Sequence, residues 1–360
     1  MDSKRLIDTF CEFVKIPSES PEDREFVAYM EELLKKEGAK TQKDEFGNLL
    51  AKFEAKNSNK KEPVLFCCHA DTVKPGIGIE PVVDWDKGII RSKGETILAA
   101  DDKAGIAEVL EMIRTVDKRP PIEFLIVRCE EISPGGAENL DFKMISSKIG
   151  YVLDMDAPEE VVIGGPTYLV IKAKYKGKAA HAGMCPEQGI SAIQTACLAI
   201  SKLQLGRIDE GSTANVGIIK GGQNMNSIPE DVEISAECRS LDHKNANSIC
   251  QNMIKIFQDA ANATGAKLNI EVSSSLEAYS IPKDAPVVKL AVKAIEKNGL
   301  KADVKAIAGG TDATHLNHMG IQTAVLGIGA HQMHSTDEFA LIDQMIATTK
   351  IISSIVEDLA

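Results

Sequence analysis

Apolar residues recur every three to four positions through 6–14, 26–34 and 106–113, the spacing of helices with one buried face. Short β-rich runs at 63–68, 122–127 and 151–153 lie among them. Their alternation predicts an α/β fold, a mostly parallel sheet with helices on both faces. Near residue 167 the texture changes. Residues 168–175 alternate with period two, 190–203 is helical with apolar side chains at 190, 193, 197, 200 and 203, and strands follow at 214–220 and 232–239. A helix at 246–260 and a strand at 267–272 complete the order β-α-β-β-α-β, the split βαβ pattern of a small α+β domain. After Pro282 the first texture returns, with a helix at 285–297, strands at 302–307 and 323–328, and a terminal helix from about 341. The expected organisation is one domain made of 1–166 and 278–360, interrupted by an insert of 167–277 whose strand edge leaves a surface for a second copy. Gly164-Gly165-Pro166 and Ser280-Ile281-Pro282 are the candidate hinges.

The length of 360 residues suits two domains, and 44% hydrophobic with 26% charged residues excludes a disordered or fibrous chain. Forty-one Lys and Arg against fifty-three Asp and Glu leave a formal charge of −12, which repels phosphate backbones and anionic lipid. Neither nucleic acid nor a membrane is an expected partner. The first thirteen residues carry charges throughout, no run of apolar residues approaches membrane length, and a cytoplasmic location is expected. Eight cysteines without a CxxC pair read as reduced thiols, not a disulfide framework or a thiolate zinc site. Aromatics at 4% offer little for stacking bases or sugars.

Five short motifs carry the candidate chemistry. Cys68-His69-Ala70-Asp71-Thr72 closes an apolar strand, at the end where open α/β sheets bind ligands. Residues two apart in an extended chain face one side, so Asp71 can accept from the His69 ring and fix it for a metal, although a satisfied strand-end histidine fits as well. In Ala99-Ala100-Asp101-Asp102-Lys103, Asp102 reads as a helix cap, whereas Asp101 stands where a carboxylate can project into a cleft and bridge two cations. Arg128-Cys129-Glu130-Glu131 follows a strand and precedes the loop Ser133-Pro134-Gly135-Gly136. Adjacent carboxylates repel unless a cation is near, and one can ligate while the other acts as general base; a solvated surface pair is the plainer account. Asp154 and Asp156 end the run at 151–153, and His331 and His334 follow the strand at 323–328. Together, five strand ends in one domain deliver two imidazoles and three or four carboxylates, a set suited to two zinc-like ions around a shared aspartate. His315 and His318, one turn apart, are read as solvated or structural. No GxGxxG opens a helix, and GxxxxGKS/T, GxSxG and HExxH are missing, so the dinucleotide, triphosphate, serine-hydrolase and zincin readings lack their residues.

In this order and spacing the motifs resemble the peptidase T and carboxypeptidase G group of di-zinc exopeptidases and amidohydrolases, which includes aminoacylases, over nearly the whole chain. The resemblance implies a zinc-exopeptidase-like catalytic domain with an inserted ferredoxin-like dimerisation domain. It also implies two divalent ions per subunit, zinc first, with cobalt or manganese compatible with the same ligands. His69 and Asp154 would bind one ion, Glu131 and His334 the other, and Asp101 would bridge them across a cis Asp101-Asp102 bond. Glu130 would be the general base on a metal-bound water, with Asp71 orienting His69. His181, in Lys178-Ala-Ala-His181-Ala-Gly183, would reach into the partner subunit's site to stabilise an oxyanion. Arg239 would clamp a substrate carboxylate, Asn226 would contact substrate, and Gly310, in Gly309-Gly310-Thr311-Asp312, would offer an amide to a carboxylate. The chain departs from peptidase T in three places. Cys129 stands where an Asp precedes the glutamate pair, Ser335-Thr336-Asp337-Glu338-Phe339 stands where Gly-Lys-His-Glu-Phe follows the last metal histidine, and Ala99 replaces a common glycine. The implied function is a cytoplasmic homodimeric metallopeptidase on short peptides, a tripeptidase-like aminopeptidase. The alternatives are a carboxypeptidase or N-acyl-amino-acid deacylase with the same chemistry, and a noncatalytic metal- or peptide-binding protein on the same scaffold.

Overall fold

Val64–His69 and Ile122–Val127 are buried along their whole length, as strands covered on both faces must be. The computed structural model describes residues 1–132 and 135–360; of the loop expected at 133–136, Ser133 and Pro134 lie outside the described residues. Among the described residues there are two compact units. The larger comprises Met1–Ile163, Ser280–Ala306 and Thr311–Ala360, and the smaller Gly164–Tyr279 with Ile307–Gly310.

In the larger unit eight of the described strands form one sheet, in the order Lys40–Lys43, Leu49–Phe53, Ile122–Val127, Val64–His69, Ile149–Met155, Gln322–Gly327, Glu160–Val162 and Asp303–Lys305. The four central strands are mutually parallel. Their C-terminal ends therefore share one edge, and the expected mostly parallel α/β sheet is present. The hairpin of Lys40–Lys43 with Leu49–Phe53 escapes sequence reading because Lys-Thr-Gln-Lys is a polar edge strand with no apolar alternation. Helix Ala100–Thr115 packs on Val64–His69 and Ile149–Met155 and against helices Ser3–Phe13 and Ile342–Leu359, and is buried from Ala100 to Ile113. Two of its charged members are engaged within the unit: Lys103 Nζ donates to the Ile16 carbonyl at 2.7 Å, and Glu111 receives Arg5 at 2.8 and 3.0 Å. No helix among the described residues is long and apolar enough to cross a membrane.

The smaller unit runs Thr167–Lys176, helix Ala192–Ile200, Ser212–Gly221, Asp231–Ser240, helix His243–Thr264, Lys267–Leu276. Its sheet is antiparallel, with Thr167–Lys176 between Asp231–Ser240 and Lys267–Leu276, and Ser212–Gly221 beyond Asp231–Ser240. This is the split βαβ order. Leu169, Ile171, Ala173 and Tyr175 alternate onto one face and meet Cys250, Met253 and Phe257. Each large side chain buried this way contributes about 1.5–3 kcal/mol.

Candidate metal centre

The central strands end in the residues that carry the chemistry. His69 is the last residue of its strand, Asp154 the last but one of its own, and Glu130 and Glu131 follow Val127. His334 lies in the loop after the short strand Ala330–His331. Asp101 corrects the expectation of five strand ends, because it stands at the start of the Ala100–Thr115 segment, where its own backbone and that of Asp102 are not helical. The bond between Asp101 and Asp102 is cis.

These side chains form two groups sharing Asp101. In the inner group His69 Nε2 lies 3.0 Å from Asp101 Oδ1 and 4.0 Å from Asp154 Oδ1. In the outer group His334 Nε2 lies 3.2 Å from Asp101 Oδ2 and 3.0 Å from Glu131 Oε1. Asp101 thus turns one oxygen to each group. Glu131 Oε1 is buried and, for all its closeness to His334, has no aligned hydrogen bond; donor atoms that crowd without pairing are aimed at a common third atom. Imidazole nitrogens with carboxylate oxygens suit zinc, cobalt or manganese, so the residues present fit divalent ions.

The electrostatics agree with that fit. Burial pushes the Asp154, Glu130 and Asp102 carboxyls well above the usual range, helped by neighbouring carboxylates. Burial also works against charging His69, yet the Asp101 and Asp71 carboxylates prevail and hold its ring well above the ordinary histidine range. Asp101 and Glu131 push His334 up to about 10. Clustered acids here demand positive charge at the points where the imidazole nitrogens converge.

The loops that carry these residues are held through their backbone amides. Arg128 N–H donates to Asn48 Oδ1 at 2.9 Å, Cys129 N–H to Asp23 Oδ2 at 3.1 Å, and Glu130 and Glu131 N–H to the two oxygens of Asp71 at 2.8 and 3.1 Å. Asp23 in turn pairs with the Arg128 guanidinium. His69 N–H donates to Asp102 Oδ2 at 3.0 Å, so Asp102 supports the histidine and makes no cap for its own helix. Ala137 N–H donates to Asp312 Oδ1 at 2.7 Å. Backbone in unfavourable regions sits at the same places: Ala99, Cys129, Gln332 and His334 have φ between 54° and 63°, each at a cost of about 1–2 kcal/mol that these acceptors help offset.

Asp71 acts differently from the expectation. The group at hydrogen-bond distance from His69 Nδ1 is the Asp71 carbonyl, at 2.9 Å, while its carboxylate stands 3.7 Å away and is engaged by the Ser20 hydroxyl and the Glu130 and Glu131 amides. The substrate candidates lie in the smaller unit and fall into two pairs. His181 neighbours Asn226, whose carbonyl accepts from Ala182 N–H at 3.0 Å. Arg239 reaches the carbonyl of Ala308, two residues before Gly310, at 3.4 Å. Asp23 and Asn48 have site roles that the sequence does not announce; Ala99 in place of a common glycine is the single signal of the left-handed turn before Asp101.

Residues 65–358 match the profile of peptidase family M20/M25/M40. The chain belongs to this family. This M20 peptidase is similar to the aminopeptidase PepT of Bacillus cereus, with 34% identity and a TM-score of 0.91 over 100% of this chain and 99% of that one. It is also similar to a tripeptidase of Staphylococcus aureus, with 32% identity and a TM-score of 0.94 over the same shares. Peptidase T of Caldanaerobacter subterraneus is 26% identical over 98% of both chains. The M20 peptidase described here is a peptidase T-like member, a hydrolase of peptide bonds and an exopeptidase.

Proposed function

We propose that this M20 peptidase removes amino-terminal residues from short peptides, tripeptides among them, with two divalent ions held around Asp101. One observation carries the reading: Glu130 and Glu131 are adjacent and held by the same Asp71 carboxylate, yet only Glu131 joins a ligand group. Among the described residues the Glu130 carboxylate belongs to neither ligand group and takes part in no hydrogen bond. Ions held by His69, Asp101 and Asp154 and by Asp101, Glu131 and His334 would supply Lewis acidity, polarising the scissile carbonyl and acidifying a water. Glu130 takes the proton of the attacking water and returns it to the leaving amine. Asp71 keeps Glu130 in place for both transfers. The similarity to an aminopeptidase and a tripeptidase over the whole chain supports the amino-terminal direction.

The smaller unit supplies the substrate residues of this reading. His181 Nδ1 accepts from the Gly183 and Met184 amides, each at 3.2 Å. A neutral ring so held carries its proton on Nε2, ready to donate to an oxyanion in the partner subunit's site. Pairing of two copies is supported by the Ser212–Gly221 strand, which Gly206–Asp209 covers only at its start and which exposes Ile218 and Ile219 beyond. Arg239 sits 4.3 Å over the Tyr168 ring and donates to Glu237 at 3.1 Å, while its buried Nε has no partner among the described residues and would take a substrate carboxylate, with Asn226 and the Gly310 amide as further contacts. A cytoplasmic location accords with eight free cysteines.

A panel of free, N-acetylated and C-amidated tripeptides tests the direction. Cleavage lost on acetylation and kept on amidation is the expected result; the reverse makes the enzyme a carboxypeptidase or deacylase. Glu130→Gln should keep both ions and lose at least about a hundredfold in kcat, and near-normal turnover would refute the base.

A further inference from the structure

Helix Ala100–Thr115 begins without a cap of its own, since Ala99 offers no side-chain acceptor to the first turn. Amides at a helix start need one. Here it comes from far along the chain, in Glu338, only 2% exposed. Its Oε2 accepts from Leu98 and Ala99 N–H at 2.7 and 2.8 Å, and its Oε1 from Ala100 and Asp101 N–H at 2.9 and 3.1 Å. Four consecutive amides reach one carboxylate because Ala99, at φ 60° and ψ 33°, turns them to the same side, the geometry of an anion-binding backbone nest. The last of the four belongs to Asp101, the residue common to both ligand groups. Glu338 also closes the loop that carries His334: its own amide donates to the Ser335 carbonyl at 3.1 Å, and Phe339 then enters the strand paired with Ile89–Ser92. One side chain therefore ties the backbone of Asp101 to the loop of His334.

We propose that Glu338 is a positioning residue of the metal centre, setting where Asp101 and His334 present their ligand atoms. The inference rests on the two-ion reading above. Outer partners of metal ligands are commonly worth 10- to 100-fold in affinity. Glu338→Gln keeps the size of the side chain but turns an NH2 group toward two of the four amide donors, so it unpins half of the nest.

The test strips divalent ions from the wild type and the variant and titrates each with Co2+ alone. It follows the visible cobalt bands and, by hydrogen exchange, the peptide covering 97–101. The wild type should take two Co2+, and Glu338→Gln should bind them at least about tenfold more weakly, with shifted bands and faster exchange at 98–101. Wild-type affinity and an unchanged spectrum in the variant would overturn the inference. Should the variant fail to fold, exchange in the stripped wild type decides: protected amides at 98–101 support the clamp, and exchange at the rate of an open loop refutes it. A wild type that takes up no Co2+ defeats the two-ion reading itself, a result seen without the variant.

Discussion

The two ligand groups share an aspartate but are built from different material. His69 of the inner group is paired in the sheet ladder and Asp154 stands at a bulge between the paired Leu153 and Met155, and the His69 ring, 3% exposed, is fixed from behind by the Asp71 carbonyl. Glu131 and His334 of the outer group stand in loops; the His334 side chain is 56% exposed, and its backbone is left-handed. The ladder fixes His69 and the residues on either side of Asp154 before any ion arrives, whereas the outer ligands depend on carboxylates and an amide side chain recruited from elsewhere to hold their loops. The difference teaches that one centre can combine a rigid half with an adjustable half. The inner ion should bind more tightly and the outer ion exchange first.

The largest effect should come from the two histidines. His69→Ala removes the anchored ligand and leaves Asp101 and Asp154 facing each other, so metal analysis should find the inner ion gone and the outer one weakened as well. His334→Ala should drop the stoichiometry from two to one while the remaining ion keeps its affinity. Equal losses in the two variants would break the distinction. Chelation supplies the companion measurement. An ion present at a thousand times its dissociation constant stabilises the fold by about 4 kcal/mol, so removal should lower Tm in two steps, the first small and reached at low chelator.

A smaller effect isolates the scaffolding of the outer loop. Asp23 is fully buried, pairs with Arg128 and accepts the Cys129 amide. Arg128→Ala would leave that carboxylate without its counter-charge, and losing one partner of a buried pair costs about 3–5 kcal/mol. Denaturant unfolding should show this loss, and metal titration should show the outer ion weakened more than the inner. Equal weakening of both ions would mean that Asp23 supports the sheet edge as a whole.

The sequence made most of the ligands legible because histidines and carboxylates stood at or just beyond the ends of apolar strands, and a parallel sheet gathers those ends by construction; Asp101, which opens a helix, is the exception. The apolar central strands were legible for the same reason that they are central: nothing polar interrupts them. What stayed hidden was the network that accepts backbone amides. An amide in need of an acceptor leaves no mark in composition, and the acceptor comes from any distance along the chain. Asp23 illustrates the difficulty. Placed just before helix Arg24–Lys36 it reads as a cap, yet it makes no capping hydrogen bond and serves Arg128 and Cys129 instead. Asp102 deceives in the same way, standing at a helix start while accepting from His69. Asp71 has the expected neighbour, but its carbonyl and carboxylate exchange the roles that two-residue periodicity suggests.

The smallest effect concerns Ala99, where a departure from the common glycine meets the left-handed turn that feeds Asp101 to both groups. A left-handed alanine costs about 1–2 kcal/mol, and glycine relieves this while adding about 0.4–1 kcal/mol of chain entropy to the unfolded state. Ala99→Gly should therefore stabilise the fold by at most about 1.6 kcal/mol, read as a small rise in Tm, with both ions bound as before. That outcome would mean that the nest around Glu338 is set by its hydrogen bonds, which glycine retains. A loss of more than about 1 kcal/mol would show that the fully buried Ala99 methyl fixes the turn by packing. The shared aspartate would then be held by the core, as the inner group is, and the adjustable half of the centre would shrink to the His334 loop and the turn of Glu131.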